Sequence, residues 1–313
     1  MKAIICIKYG PPGVLQLREV EKPVPKNNEV CVKIHATAVT ASDCIVRGFK
    51  IPRWHLRGLL MGAVLGFSRP RNPILGILMA GKIDSVGSEV KLFQPGDEVF
   101  AWTVSSPVKI KFGSYAGYNC LPEDGIIALK PFNLTFEETA AIPYGGLIAL
   151  HYLKKGKVSA GQKVLIYGAS GSIGTSATQI AKQMGAHVTG VCSTSNMEMV
   201  QKLGADEVID YTKNDVLKGD EYFDFILDAV GKWKDSKLKQ SCKKQLKPNG
   251  LYISVDDGSP IATVENLNLL KKMAEADQLK PVIDRTYTLE QIVEAHEYVD
   301  KGHKKGNVII KII

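Results

Sequence analysis

The sequence has no apolar run long enough to cross a bilayer. Its longest, Leu59–Phe67, has nine residues, against the roughly 20 that a spanning helix needs. No two of its six cysteines, at 6, 31, 44, 120, 192 and 242, stand within ten residues of each other. C-x-x-C and zinc-ribbon spacings are therefore missing, and the cysteines read as buried thiols of a reducing compartment. The apolar run in Met-Lys-Ala-Ile-Ile-Cys-Ile-Lys is too short for a secretory signal, so a cytoplasmic location with no membrane span is expected. There is no internal repeat and no low-complexity tract. Nor do aromatic residues alternate with the lysines, as a stacking platform for nucleic acid requires. Seven lysines crowd Lys232–Lys247, but Leu238, Cys242 and Leu246 recur there at i, i+4 and i+8. The lysines are expected on the outer face of an amphipathic helix, with no nucleic-acid partner.

What is present is an ordinary globular composition. The 313 residues are 45% hydrophobic and 23% charged, with a net charge of +8. That length suggests two domains and needs no disulfide or metal to fold. The first 125 residues read as short strands broken by turn signals such as Gly10-Pro-Pro-Gly13 and Gln94-Pro-Gly-Asp97, a pattern of a compact β barrel or sandwich. Glu29–Val39 alternates, which predicts a half-buried strand. Residues 50–73 interrupt the pattern. There Pro52, Arg53, Trp54, Arg57, Arg69 and Arg71 surround the Leu59–Phe67 run, as a helix and loop over a cleft or as a partner-contacting patch. Thr135-Phe-Glu-Glu138 fits a capping box, followed by helix to Leu153 with a break at Pro143.

From Lys163 strands and helices alternate. Strands are expected at Val164–Tyr167, Val188–Cys192, Val208–Ile209, Phe225–Asp228 and Leu251–Val255, with helices at 173–184, 196–203 and 235–247. Five such strands predict a parallel sheet covered on both faces. A short link, Asp256–Thr263, leads to a helix at Val264–Ala276. The tail returns to strand at Pro281–Asp284 and Asn307–Lys311, which can complete the N-terminal β domain.

The chemistry is concentrated in Gly168-Ala-Ser-Gly-Ser-Ile-Gly174, between a strand and an apolar helix. A glycine turn at that junction cradles phosphate. Gly171 admits a pyrophosphate to the backbone, Gly174 lets the helix pack close, and the helix start supplies N–H groups. Ala169 replaces the first glycine of G-x-G-x-x-G. Ser170, Gly171, Ser172, Ile173 and Gly174 are the candidate cofactor contacts. The second strand ends Cys192-Ser193-Thr194-Ser195-Asn196, without the Asp or Glu that bonds a free ribose 2′-OH. Ser193, Thr194 and Asn196 therefore point to a 2′-phosphate and to NADPH over NADH. Ser193 and Thr194 capping the next helix is the plainer alternative. Ser254 and Val255, at the end of the fifth strand, are expected beside the nicotinamide ribose. Gly168-Ala-Ser-Gly-Ser172 also comes near the G-x-S-x-G nucleophile elbow. The last position fails, and His296 and His303 lie beyond the α/β region, which argues against a hydrolase.

The sequence resembles the zinc-free quinone oxidoreductase (zeta-crystallin-like) branch of the medium-chain dehydrogenase/reductase superfamily over nearly its whole length. The carriers are Val39-Thr-Ala-Ser-Asp43 with Arg47-Gly48, Phe93-Gln-Pro-Gly-Asp-Glu-Val-Phe100, Gly113-Ser-Tyr-Ala116 and the Tyr167–Gly174 turn. Leu203-Gly-Ala-Asp206 leading to Ile209-Asp-Tyr211, Lys280–Tyr287 and Gly302–Val308 also match. The resemblance implies a GroES-like β domain over 1–126 and 280–313, and a Rossmann domain with a doubly wound parallel sheet over 127–279. It implies hydride transfer from NADPH to a quinone or an α,β-unsaturated carbonyl in a cleft between them. Tyr211 would flank the adenosine and Thr40 would face the nicotinamide. Asp43 reads as a fold-stabilising acceptor, and no catalytic proton donor is assigned. Zinc-dependent members carry Cys-His at Thr40-Ala41 and Gly-His-Glu at Gly76-Ile77-Leu78, so no zinc is expected. Related quinone reductases often have Lys at Asn196. Related enoyl reductases have a proton-donating Tyr in the stretch that here reads Arg47-Gly-Phe-Lys50. The sixth strand through which relatives dimerise finds no room in the 256–263 link, so a homodimer through that edge is not expected. A non-enzymatic NADPH-binding or scaffold protein, with 50–73 as a partner or membrane surface, is the alternative.

Overall fold

Eleven residues, Glu29–Val39, form the longest strand of the chain. In the computed structural model, which describes residues 1–49, 56–106, 109–217, 222–232 and 234–312, the elements run in order. They are β1 (Lys2–Cys6), β2 (Leu15–Glu19), β3 (Glu29–Val39), α1 (Ala41–Gly48), α2 (Leu56–Leu65), β4 (Leu78–Val86) and β5 (Glu98–Trp102). Next come β6 (Val104–Ser106), β7 (Lys109–Ile110), β8 (Tyr118–Pro122), β9 (Ile126–Leu129), α3 (Phe136–Ala140) and α4 (Pro143–Lys155). The α/β part holds β10 (Lys163–Tyr167), α5 (Ser172–Gln183), β11 (His187–Cys192), α6 (Met197–Lys202), β12 (Glu207–Asp210), β13 (Phe223–Asp228), α7 (Lys237–Lys244) and β14 (Leu246–Ser254). The chain ends with α8 (Val264–Glu275), β15 (Ile283–Thr288), α9 (Ile292–Asp300) and β16 (Asn307–Lys311). Two compact units result: 1–143 with 263–268 and 283–313, and 144–262 with 269–282.

The first unit is built on β3. One edge of β3 pairs with β4, and the other pairs with β8 at residues 29–33 and with β16 at residues 36–39. The tail strand β16 thus completes a seven-stranded sheet, ordered β15-β16-β3-β4-β5-β9 with β8 on β3. The expected half-burial of β3 is corrected here. Both faces are covered, and only Lys33 and His35 are partly exposed. The His35 ring stacks on Phe136 of α3 (4.2 Å between centroids), and Thr37 donates its hydroxyl to the Leu78 carbonyl (2.6 Å). The capping box at Thr135 forms as its residues predict, and all six cysteines are buried and unbridged. The first part of the 50–73 segment, residues 50–55, lies outside the described residues.

Thr40 caps α1. Its hydroxyl donates to Asp43 Oδ2 (2.6 Å) and accepts from the Asp43 N–H (3.2 Å). Arg47, 1% exposed, ties the helix to α9 through Asp300 (2.6 Å) and to the Gly10 carbonyl (3.2 Å).

The second unit is a five-stranded parallel sheet in the order β12-β11-β10-β13-β14, with the core cluster of Leu165, Val191, Ile226, Leu238 and Cys242 on one face. Two details of the lysine-rich stretch are corrected. Its helix stops at Lys244, and Leu246 begins β14. Lys239, 2% exposed, points inward to Asp228. A buried carboxylate outweighs the helix's outer-face pattern because an unpaired buried charge costs several kcal/mol.

Asp43 sets a pH dependence. Burial pushes its carboxyl up to about 6, against hydrogen bonds from the Thr40 hydroxyl and N–H that pull it down. A carboxyl raised in the folded state favours folding fully below its unfolded value, about 4. That contribution is lost as pH rises through about 6. Unfolding free energy should therefore fall by about 2 kcal/mol between pH 4 and pH 7 from this group. Urea denaturation across that range should show this slope flattened in Asp43→Asn.

Candidate dinucleotide site

Strand β10, the central strand, runs into Gly168. This residue has φ +85°, a conformation open to glycine, and a side chain there would strike Val230 (2.5 Å). The N–H groups of Gly168 and Ala169 are both held by the Val191 carbonyl (3.0 and 2.9 Å). This locks the turn to the neighbouring strand. Gly171 closes the turn on the Gly168 carbonyl (3.1 Å) and stands at the N-cap of α5. No side chain caps that helix, so its positive end faces the turn.

Gly174 is fixed by space. A Cβ there would lie 2.1 Å from the Gly168 carbonyl oxygen and 2.6 Å from Ala169 Cα. Gly171 is different: a Cβ would meet only the Gly168 carbonyl, at an ordinary 3.6 Å. Within the protein, then, Gly174 has a packing reason to be glycine and Gly171 has none. Ser170 is partly exposed, and Ser172 and Ile173 are buried at the helix start.

At the end of β11, Thr194–Asn196 form a 3-10 turn with Ser193 before it. Asn196 Nδ2 donates to Ser193 Oγ (3.1 Å), while its Oδ1 is buried without a hydrogen-bond partner. The Thr194 hydroxyl is turned to Asp210, at the end of β12. Asp210 also accepts from the Thr212 hydroxyl (2.6 Å) and N–H (2.9 Å), and these bonds, Thr194's first, hold its carboxyl below the usual range. Lys213 Nζ stands 3.9 Å from Asp210. Tyr211 is 46% exposed beside them. Ser254 is fully buried at the end of β14, and its N–H is held by Asp257 (2.9 Å). Val255 is partly exposed.

A second buried cluster, not anticipated from the sequence, shapes the same edge of the sheet. Asp228 ends β13 and accepts from Lys239 Nζ (2.9 Å), Tyr252 OH (2.7 Å) and the N–H groups of Val230 and Gly231 (both 3.1 Å). Lys239 also donates to the Gly231 carbonyl (2.9 Å) and lies over the Tyr167 ring (5.1 Å). The ion pair thus fixes the 229–231 turn against Gly168. An Asp ending an apolar strand, with Lys eleven residues on, was the available signal. Thr40, the one candidate in the first unit, is 3% exposed with its hydroxyl committed to Asp43. Among the described residues no group of His, Cys, Asp or Glu is arranged to hold a metal, and no helix is long and apolar enough to cross a membrane.

A glycine turn, an uncapped helix start and a hydroxyl-rich second strand end, on the carboxyl edge of a parallel sheet, define a dinucleotide-binding domain. A family model described as an alcohol dehydrogenase GroES-like domain matches residues 26–131. Models described as zinc-binding dehydrogenase match 172–274 and 262–310. The chain is 31% identical to the mitochondrial NAD(P)H oxidoreductase RTN4IP1 of Mus musculus, covering 100% of this chain and 89% of that one. It is 31% identical to the 2-methylene-furan-3-one reductase of Solanum lycopersicum, covering 99% and 79%. The solved quinone oxidoreductase of Coxiella burnetii superposes with a TM-score of 0.85 at 27% identity, covering 100% and 99%. The chain belongs to the medium-chain dehydrogenase/reductase superfamily, in its zinc-free quinone oxidoreductase branch, and is an oxidoreductase that uses a nicotinamide cofactor.

Removing one partner of the Asp228–Lys239 pair strands a buried charge. Asp228→Asn should lower stability by about 3–5 kcal/mol, and adding Lys239→Met should recover more than half of that. Urea denaturation of the three proteins checks this, and a loss under about 1 kcal/mol for Asp228→Asn would contradict it.

Proposed function

We propose that the protein transfers hydride from NADPH to a quinone or an α,β-unsaturated carbonyl without zinc. The observation that carries this reading is the glycine turn with its uncapped helix start on the central strand. It is supported by relatives named as quinone and enone reductases. NADPH supplies the hydride, and the protein supplies position and exclusion of water. Ser170 to Gly174 offer backbone and hydroxyl groups to the pyrophosphate, with Gly174 keeping the helix against the strand. Ser193 and Asn196 serve the 2′-phosphate, with Ser195 3.3 Å from Ser193 and Lys213 the nearby cation. Thr194 joins β11 to β12 through Asp210. Tyr211 flanks the adenosine, and Ser254 and Val255 border the nicotinamide ribose.

Zinc does not fit the donor set. Thr40-Ala41 and Gly76-Ile77-Leu78 offer neither thiolate nor imidazole, the ligands this metal takes in such sites. Polarising an unactivated ketone is then left without a Lewis acid, whereas a quinone or an enone carries its own electron deficiency. In this reading Thr40 faces the nicotinamide but positions α1 rather than moving a proton, because its hydroxyl is held by Asp43. Water delivers the proton.

Edge strand β14 carries Lys247 and Pro248, two residues that discourage strand addition. Among the described residues between Ser254 and Val264 there is no further strand. We infer that the sheet-edge dimer does not form.

Nicotinamide absorbance should fall on mixing NADPH with an ortho-quinone or a short enone, and not with a simple ketone. Tight NADPH binding with no turnover on any acceptor would favour a binding protein instead. Ser193→Asp should raise KM for NADPH tenfold or more, on the order of 1.4 kcal/mol, with KM for NADH unchanged or lower. Light scattering should give a monomer mass, and a dimer broken by substitutions in β14 would overturn the edge reading.

A further inference from the structure

Helix α2 is apolar on the side it turns to solvent. From Gly58 to Phe67 the sequence has no charged or hydrogen-bonding side chain. Gly58, Gly62 and Leu65 are buried, whereas Ala63 is exposed and Leu59, Leu60 and Phe67 are exposed by 49, 60 and 51%. The Phe67 ring packs on Gly62, where a Cβ would come within 2.4 Å of it. The exposed residues are thus one ridge. An exposed apolar ridge of this kind is ordinarily covered by something apolar.

Arginines border that ridge. Past Gly66 (φ +106°) the chain doubles back: the Arg71 N–H donates to the Leu65 carbonyl (2.7 Å), and the Tyr9 hydroxyl bonds the Leu65 and Gly66 carbonyls (3.1 and 2.9 Å). Phe67, Arg69 and Arg71 then line an open cavity of about 700 Å³, with Arg18 of β2 also on its wall. Arg18 is hydrogen-bonded to Gln16 (2.7 Å). Neither Arg69 nor Arg71 has a carboxylate partner among the described residues.

A free anion would account for the arginines and leave the ridge exposed. A second copy of the chain, meeting this face on itself, would cover the ridge and set like charges against one another. An anionic bilayer accounts for both. Apolar side chains enter the headgroup boundary while arginines meet lipid phosphates, and the net charge of +8 has the matching sign. We propose that this face docks on an anionic lipid surface, with Leu59, Leu60 and Phe67 inserted and Arg18, Arg69 and Arg71 on phosphates. The docking is independent of the hydride reaction.

Co-sedimentation of the full chain with vesicles tests it. The protein should bind vesicles of phosphatidylglycerol mixed into phosphatidylcholine, weakly or not at all pure phosphatidylcholine, and less as salt rises. Arg69→Ala with Arg71→Ala should weaken binding about thirtyfold, at about fivefold per arginine. Leu59→Asp with Leu60→Asp should abolish it. All four positions are exposed, so thermal unfolding should be unchanged in both variants. Equal binding to both vesicle types, or binding that survives the two aspartates, would overturn the proposal. So would saturable binding of inorganic phosphate without vesicle binding, or a dimer that Leu60→Asp dissociates.

Discussion

The α/β unit depends on one crowded junction. The carbonyl oxygen of Gly168 lies where any side chain at position 174 would have to be, and the carbonyl of Ser172 lies where one at position 145 would be (2.2 Å). Two glycines, Gly174 and Gly145, therefore let β10, α5 and α4 approach more closely than a single methyl group would allow. The reward is position. Helix α5 starts directly over the end of the central strand, with its N-terminal groups on the turn rather than on a capping side chain. From β10 the chain moves to one side for β11 and β12, then returns to the other side for β13 and β14. The turns after β10 and β13 meet where Gly168 touches Val230. This is the crevice that such sheets use for ligands.

Each unit also buries charge, to different ends. Asp228 is fully ion-paired and fully hydrogen-bonded, and it holds a turn. Arg47 does similar work in the β unit, joining three separated segments through Asp300 and the Gly10 carbonyl. Asp43 is instead buried beside neutral donors, and burial raises its carboxyl. The difference follows from charge accounting: a cation shares the site of Asp228, whereas only neutral donors offset the burial that raises Asp43.

Much of this was legible in the sequence. Periodicity located four of the five parallel strands to within two residues, because buried strands are runs of Val, Ile and Leu between turn signals; the largely exposed start of β14 was missed by five residues. The Thr135 capping box and the glycine turn were readable because their chemistry is local, spanning four to seven residues, whereas the equally local box of Thr40 and Asp43 went unread. Long-range facts were harder. The full burial of β3 depends on strands from three other parts of the chain and on Phe136 covering His35. Lys239 looked like one more surface lysine, since its partner is set by the fold of β13 and not by the helix it belongs to. Leu246 fitted the helical repeat by chance of spacing, while its backbone pairs with Phe223.

The ribose end of the site shows how such a long-range contact alters a chemical argument. The sequence places no acid at the end of β11, and on that ground alone a 2′-phosphate is welcome. The fold brings Asp210 to the same place from the end of the next strand. Its charge is not open to a ligand, however. Two threonine hydroxyls and a backbone N–H already bind it, keep it ionised and aim it at the β11–β12 junction, with Lys213 alongside. The carboxylate is spent on joining two strand ends, and Thr194 is spent with it. In the proposed site, what is left to meet a ribose substituent is the Ser193–Ser195–Asn196 turn, with the unpartnered Oδ1 of Asn196 on the acceptor side and the serine hydroxyls on the donor side. In the NADPH reading it is therefore the serines, rather than Thr194, that carry the preference.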